Sequence, residues 1–176
     1  MTDSLEFSRP IDLDEIEKNG LQREIIAEAQ ECAALAQRFD ILGLEDLRAT
    51  LDIRKLDHGQ TVTVTGHMTA KVTQKCTVSL DPFEADMSVE LKQVFVRAGA
   101  PVTEANLDPD EEDAYDEEIE GNVIDLGEMV AQCLGLELDP YPRKPGIAYV
   151  PKIEKSQNSG AERPFAALAQ LKRDDC

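Results

Sequence analysis

The stretch that decides the fold is residues 61–80, which read TVTVTGHMTAKVTQKCTVSL. Apolar and small residues occupy most even positions and polar residues the odd ones, which is the period of a strand with one buried face. The even positions are Val62, Val64, Gly66, Met68, Ala70, Val72, Gln74, Cys76 and Val78. Gly66, in the middle of the strand, predicts a bulge or a sharp bend.

The same alternation continues on both sides of this stretch. The preceding strand has its apolar positions at Leu47, Ala49, Leu51 and Ile53. Residues 57–60, DHGQ, predict a hairpin turn between these two strands. After a turn at 81–83 a third strand begins near Met87 and ends at Val96. Because each connection is too short for a crossover helix, we expect an antiparallel sheet.

Two amphipathic helices are predicted beside the sheet. The first follows the Asn19-Gly20 turn and ends near Arg38, with its apolar stripe at Leu21, Ile25, Ala29, Cys32, Ala33, Ala36 and Phe39. The second follows Asp125, which has Glu128 at the spacing of a capping box. Its apolar stripe is Leu126, Met129, Val130, Cys133 and Leu134. Residues 5–16 predict an extended N-terminal segment with an edge strand at Pro10.

The predicted fold class is α+β: a bent antiparallel β-sheet of three or four strands packed with two amphipathic helices. A single domain is expected over residues 1–146, with an acidic mobile loop at 98–120. Ten of the seventeen residues in 104–120 are acidic, and such a segment buries too little apolar surface to offset the entropy of ordering it. Residues 147–176 predict a flexible basic tail with a short helix at 164–172.

Charge is concentrated in the middle of the chain. The 176 residues carry 36 acids and 18 Lys and Arg, for a formal net charge of -18. Fourteen of the acids lie in residues 98–142, which contain no Lys or Arg. This negative charge opposes nonspecific binding to a polyanion such as RNA, and it favours a basic protein as the partner. The alternative that acidity serves solubility alone stays open.

Neither a membrane partner nor export is indicated by the sequence. No apolar run approaches the roughly 20 residues that a membrane-spanning helix needs. The first residues, MTDSLEF, lack the basic start and the apolar stretch of a secretory signal. We therefore expect a cytoplasmic protein.

Motifs for catalysis or metal binding are missing from the sequence. There is no phosphate loop, G-x-S-x-G, H-E-x-x-H or Gly-rich dinucleotide turn. The four cysteines (Cys32, Cys76, Cys133 and Cys176) lie more than forty residues apart, and neither His58 nor His67 forms a ligand pair with one of them. We expect buried thiols, no catalytic residue, no cofactor and no metal. A hydrolase or RNA-modifying enzyme is the least favoured alternative.

Four segments carry a resemblance to a known family. They are AALAQRF at 33–39, GHMTAKVTQKCTVSLDPF at 66–83, IDLGEMV at 124–130 and LDPYPRKPG at 138–146. In this order, with the acidic loop before the third, the chain resembles the YceD family of large ribosomal RNA subunit accumulation proteins, in its alphaproteobacterial form. The resemblance covers about residues 5–146. It implies a role in synthesis, processing or accumulation of 23S rRNA and association with large-subunit assembly intermediates.

One position departs from the family pattern. Many family members carry a C-x-x-C at the strand site and further cysteines near the C-terminal end, which implies a metal site in those branches. Here the first cysteine is Cys76, but the second position is Ser79, and residues 139–145, DPYPRKP, replace the later cysteines. A zinc ion inherited from the family is therefore not expected in this protein.

Two routes to the implied function compete. In one, cations on the polar face of the sheet contact RNA; the candidates are Arg48, Arg54, Lys71 and Lys75. In the other, which the net charge favours, the acidic loop binds a basic ribosomal protein or processing factor and acts as an adaptor without RNA contact. Tyr141 and Arg143, in a segment stiffened by prolines, are candidate partner anchors. The alternative for Tyr141 is that it packs the end of the second helix against the sheet.

Overall fold

The computed structural model describes residues 5–56, 60–97, 116–119 and 121–147. In chain order the elements are β1 (Pro10–Asp12), a 3-10 helix (Leu13–Glu15), β2 (Leu21–Ile26), α1 (Ala29–Arg38), β3 (Gly43–Leu56), β4 (Thr61–Lys75), β5 (Pro82–Arg97), β6 (Asp116–Ile119), β7 (Val123–Asp125) and α2 (Leu126–Glu137). Two helices accompany a strand-rich structure, which confirms the predicted α+β class.

Three long antiparallel strands form the centre of the main sheet, as the alternation predicts. β4 pairs with β3 on one side and along its whole length with β5 on the other. The predicted inward positions of β3 are buried, as are those of β4 apart from Gly66 and Gln74. Phe7 and the apolar residues of α1 and α2 join them in one hydrophobic cluster. The opposite face of these strands is rich in threonine and charge.

The predicted strand number and the predicted all-antiparallel order are wrong. The main sheet has five strands in the order β2-β3-β4-β5-β6, and β1 pairs with β7 in a separate two-stranded sheet. β6 runs parallel to β5, with Val94 opposite Asp116 and Arg97 opposite Ile119. The connection between them, residues 98–115, is long enough for a parallel return. Ile119 is 3% exposed, so this acidic strand still contributes one side chain to the core.

Part of the predicted first helix is a strand. Leu21 and Ile25 belong to β2 and lie opposite Ile53 and Ala49 of β3; α1 begins only at Ala29. A spacing of four residues places two side chains on one face of a helix, but it is also even and so places them on one face of a strand. The apolar pattern was therefore compatible with both structures, and pairing with β3 decides between them.

The predicted bulge lies elsewhere. Gly66 pairs in continuous register with Leu51 of β3 and Leu91 of β5. The register shift in the sheet is between Glu45 and Arg48 of β3, where Asp46 has a φ of 54°. A Cβ at Gly66 would lie 2.2 Å from the main-chain oxygen of Thr50. Gly66 thus permits two backbones to approach closely, which is the other common reason for a glycine within a strand.

The second helix starts as predicted. Asp125 is its N-cap and accepts hydrogen bonds from the N–H groups of Gly127 and Glu128. Glu128 does not complete a capping box; its carboxylate accepts two hydrogen bonds from Arg38 of α1, at 2.8 and 2.7 Å. The helices are therefore linked by an ion pair as well as by their apolar faces. The rest of the predicted acidic loop and the predicted tail helix at 164–172 lie outside the described residues.

Candidate functional site

Three of the predicted contact residues lie together on the polar face of the main sheet. Arg48 and Arg54 are on β3, and Lys71 is on the neighbouring strand β4. All three side chains are more than half exposed. The threonines of this face are Thr50, Thr61, Thr63, Thr65, Thr69 and Thr73. The result is a broad polar surface of short side chains with cations between them.

Each of these three cations is paired with a carboxylate. Arg54 Nε lies 2.6 Å from Asp52 Oδ1, and Lys71 Nζ lies 3.3 Å from Asp46 Oδ2. Arg48 reaches the other oxygen of Asp46 at 3.8 Å. The hydrogen bond from Arg54 lowers the pKa of Asp52, and the bond to Asp46 raises the pKa of Lys71. The positive charge of these three side chains is therefore largely neutralised by neighbouring carboxylates on the same face.

The other three predicted contact residues lie at or near the C-terminal end of β4. The segment after α2 is fastened there because the Thr77 N–H donates to the carbonyl of Pro142 at 2.8 Å. Lys75 lines a half-open groove of about 560 Å³ together with Pro140 and Pro142. Tyr141 is 72% exposed, so the alternative in which it packs α2 against the sheet is wrong. Arg143, two residues further along the chain, is exposed as well.

Cys76 holds this end of the molecule together. Its side chain is fully buried, and its Sγ accepts the N–H of Ser79 at 3.5 Å and that of Lys144 at 3.4 Å. These two donors lower the pKa of the Cys76 thiol to about 6, because hydrogen bonds to the charged form favour it. Burial of Cys76 is confirmed, but its surroundings are polar rather than those of an ordinary core thiol.

Sequence reasoning missed this polar environment for a physical reason. The first donor lies three residues from Cys76 and could be suspected from the turn that follows β4. The second donor, Lys144, is 68 residues away in the chain and is brought there only by the docking of the segment after α2. The other described thiols differ, since burial raises the pKa of both Cys32 and Cys133.

The residues around Cys76 do not fit the metal site that the family resemblance implies for other branches. Ser79 occupies the position of the second cysteine and donates its N–H to Cys76. Within residues 5–56, 60–97, 116–119 and 121–147, no group of three or more His, Cys, Asp or Glu side chains is placed to hold a metal ion. Zinc sites need four ligands, usually supplied by several such side chains. The contacts that the sulfur makes are instead with two main-chain N–H donors.

We expect Cys76→Ser to show a pH-dependent loss of stability. Because the thiol pKa is lowered to about 6, below the roughly 8.5 of an unfolded cysteine, the folded state binds fewer protons between these values. The contribution of the Cys76 thiolate to the stability of the folded state is therefore fully present above the pKa of the unfolded cysteine. It is lost as the pH falls through 6. Urea unfolding under reducing conditions should show the gap between wild type and variant widening from about pH 5.5 to about pH 8.5.

Cys32→Ser is the matched control for this experiment. Cys32 is 5% exposed, and its raised pKa keeps the thiol neutral across the same range. Its stability difference from wild type should stay flat with pH. Equal slopes for the two variants would contradict a stabilised thiolate at Cys76.

The fold and these surfaces define a small acidic α+β protein with exposed polar surfaces. The family model described as "Large ribosomal RNA subunit accumulation protein YceD" matches residues 64–172, which is 109 of the 176 residues. The chain therefore belongs to the YceD family. No curated protein and no solved structure matches it. Neither helix in the described part of the chain is long and apolar enough to cross a membrane. The alphaproteobacterial form of the family stays a prediction.

Proposed function

We propose that this protein is a non-enzymatic, cytoplasmic factor that supports the accumulation of 23S rRNA during assembly of the large ribosomal subunit. Membership of a family described as large ribosomal RNA subunit accumulation proteins supports the process. The route that we favour is indirect: the protein binds a basic ribosomal protein or processing factor, and the RNA benefits from that association.

The observation that carries the indirect route is the pairing of the candidate RNA-contacting cations. Asp46 and Asp52 already form ion pairs with Arg48, Arg54 and Lys71. A phosphate would have to displace these carboxylates, and the net charge of -18 would oppose its approach at long range. Counterion release gives affinity for RNA only where cations are available to phosphate. The polar sheet face is thus poorly suited to bind a polyanion.

Direct RNA contact is the second candidate function. It is favoured only at the C-terminal end of β4, around Lys75, Cys76 and Arg143, which we call the Cys76 end. Lys75, Arg143 and Lys144 are exposed there, and no described carboxylate lies within ion-pair distance of them. The exposed ring of Tyr141 stands beside them and could stack on an unpaired base. Such a contact would be local and small beside the acidic remainder of the protein.

Depletion with complementation tests the proposal in the organism that produces the protein. We expect depletion to lower the ratio of 23S to 16S rRNA and to leave large-subunit precursors on a gradient. Wild-type protein should restore the ratio. The variant R48Q/R54Q/K71Q should restore it too, because the indirect route does not use these cations for phosphate binding. An unchanged ratio after depletion, with growth still impaired, would contradict the ribosomal role itself.

A matched pair of variants separates the two routes. D46N/D52N frees the cations of the sheet face, so direct contact predicts that this variant binds 23S rRNA fragments more tightly, with a steeper salt dependence. The indirect route predicts weak binding for both the wild type and this variant. K75Q/R143Q tests the Cys76 end in the same assay. Its failure to restore the 23S ratio, together with loss of RNA binding, would move the proposal to direct contact.

A further inference from the structure

The outer edge of β5 is a long stretch of strand backbone without a neighbouring strand in the described part of the chain. On one side β5 pairs with β4 over its whole length, from Pro82 opposite Lys75 to Val96 opposite Thr61. On the other side β6 pairs only with Val94–Arg97. The first ten residues, Pro82–Leu91, are therefore a sheet edge of roughly 30 Å.

This edge lacks several of the features that protect exposed strands from pairing, although it does carry charged side chains. Natural edge strands are usually short, bulged, or interrupted by lysine or proline. The opposite edge of the sheet, β2, fits this description because it has six residues. β5 keeps continuous register with β4, and its one proline is its first residue. Its main-chain N–H and C=O groups thus form an uninterrupted template for an added strand.

The side chains along this edge fall into two rows of different character. The row on the core side is half-buried and consists of Phe83, Ala85, Met87 and Val89. The row on the polar side is exposed and consists of Glu84, Asp86, Ser88 and Glu90. Glu90 is 88% exposed, although its carboxylate lies 3.3 Å from His67 Nδ1. Lys71 lies opposite Asp86, but the ion pair of Lys71 is with Asp46, at 3.3 Å. The bond to Asp46 and, to a smaller extent, the charge of Asp86 raise the pKa of this lysine. The polar row therefore keeps a negative field.

We propose that the edge Pro82–Leu91 binds an extended segment of a basic protein by strand addition. The added strand would place apolar side chains beside Phe83 and Met87 and basic side chains beside the acidic row, because neighbouring strands align residues across the pair. A second copy of this chain is disfavoured as the occupant, since pairing of two such edges would bring like charges together. This inference rests on the indirect route proposed above and identifies the surface that the basic partner uses.

The probe for this site is a fluorescein-labelled peptide of alternating lysine and valine, titrated against the full chain and followed by fluorescence polarisation. A peptide of alternating glutamate and valine serves as the charge control and should not bind. Two further probes carry N-methyl groups on all valines or on all lysines. Along a strand, alternate N–H groups point to the same side, so strand addition predicts that one methylated peptide loses at least roughly tenfold in affinity while the other binds.

Charge-reversal variants of the protein test the acidic row. E84K/D86K should bind the basic peptide roughly tenfold more weakly than wild type. E17K/E24K is the matched control because it makes the same change in net charge at exposed positions near the opposite edge; its affinity should stay close to that of the wild type. Equal losses for both variants, or equal behaviour of the two methylated peptides, would overturn strand addition and leave only nonspecific charge attraction.

Hydrogen exchange of the free full-length chain decides whether the edge is accessible. Alternate amides of Pro82–Leu91 should exchange rapidly in the free protein and become protected when the peptide binds. Protection in the free protein would overturn the proposal: if it rises with concentration a second copy covers the edge, and otherwise the chain's own remaining residues do. If the edge fails these tests while depletion still lowers 23S rRNA, the ribosomal function stands and its partner binds elsewhere.

Discussion

Gly66→Ala is expected to lower the free energy of unfolding by about 3 kcal/mol. An added Cβ would lie 2.2 Å from the main-chain oxygen of Thr50 and 2.9 Å from Leu51 Cδ2. The first of these neighbours is backbone in the centre of the sheet and cannot move without separating β3 from β4. Urea unfolding should show a lower midpoint for this variant, with little change in the slope if the denatured state is unaffected.

Gly43→Ala is the matched control, on the same strand pair. A Cβ there would meet the Thr73 side chain at 3.4 Å, which is an ordinary contact. Its effect should lie within about 0.5 kcal/mol, with a small gain expected because alanine reduces the entropy of the unfolded chain. Similar losses for both variants would show that any alanine in these strands is harmful. In that case close backbone approach would not explain Gly66.

The central strands could be predicted from the sequence because their burial follows a local period. β3 from Leu47 onward and β4 bury residues of one parity, whereas the other parity is more exposed, so alternation alone finds these strands. β2 and β6 could not be found in this way. In β2 the spacing of Leu21 and Ile25 suits either type of element, and in β6 three acids precede one apolar residue. Both strands exist because a neighbouring strand offers hydrogen bonds, and that neighbour is not visible in the local pattern.

The same distinction applies to the candidate site. The sequence placed cations on the polar face correctly, yet it could not show that Asp46 lies between Arg48 and Lys71. That arrangement depends on the register shift in β3, where Asp46 adopts a positive φ. The environment of Cys76 likewise depends on a donor from a distant segment, Lys144. Local spacing predicts which residue types share a face; long-range docking decides which charges and donors meet.

Asp125→Ala is expected to cost about 2–3 kcal/mol, because one carboxylate holds two parts of the chain. Its Oδ1 accepts the N–H groups of Gly127 and Glu128 at 3.0 and 3.1 Å, which caps α2. The same oxygen accepts the N–H of Arg9 at 2.8 Å, and Oδ2 accepts the hydroxyl of Ser8. Loss of the cap alone costs about 1 kcal/mol. The remainder comes from separating the N-terminal segment from the start of α2.

Two variants make this prediction specific. Asp125→Asn keeps one carbonyl acceptor at the same position and should recover at least half of the loss, because asparagine is also a good N-cap. Asp139→Ala removes an exposed aspartate that accepts one N–H, that of Tyr141 at 2.8 Å, and should change the stability by no more than about 0.5 kcal/mol. Thermal and urea unfolding of the three variants should therefore rank Asp125→Ala lowest. A loss of only about 1 kcal/mol for Asp125→Ala, the cost of the cap alone, would mean that the contacts to residues 8 and 9 contribute nothing. β1 and β7 would then be held together by their mutual pairing and the apolar core alone.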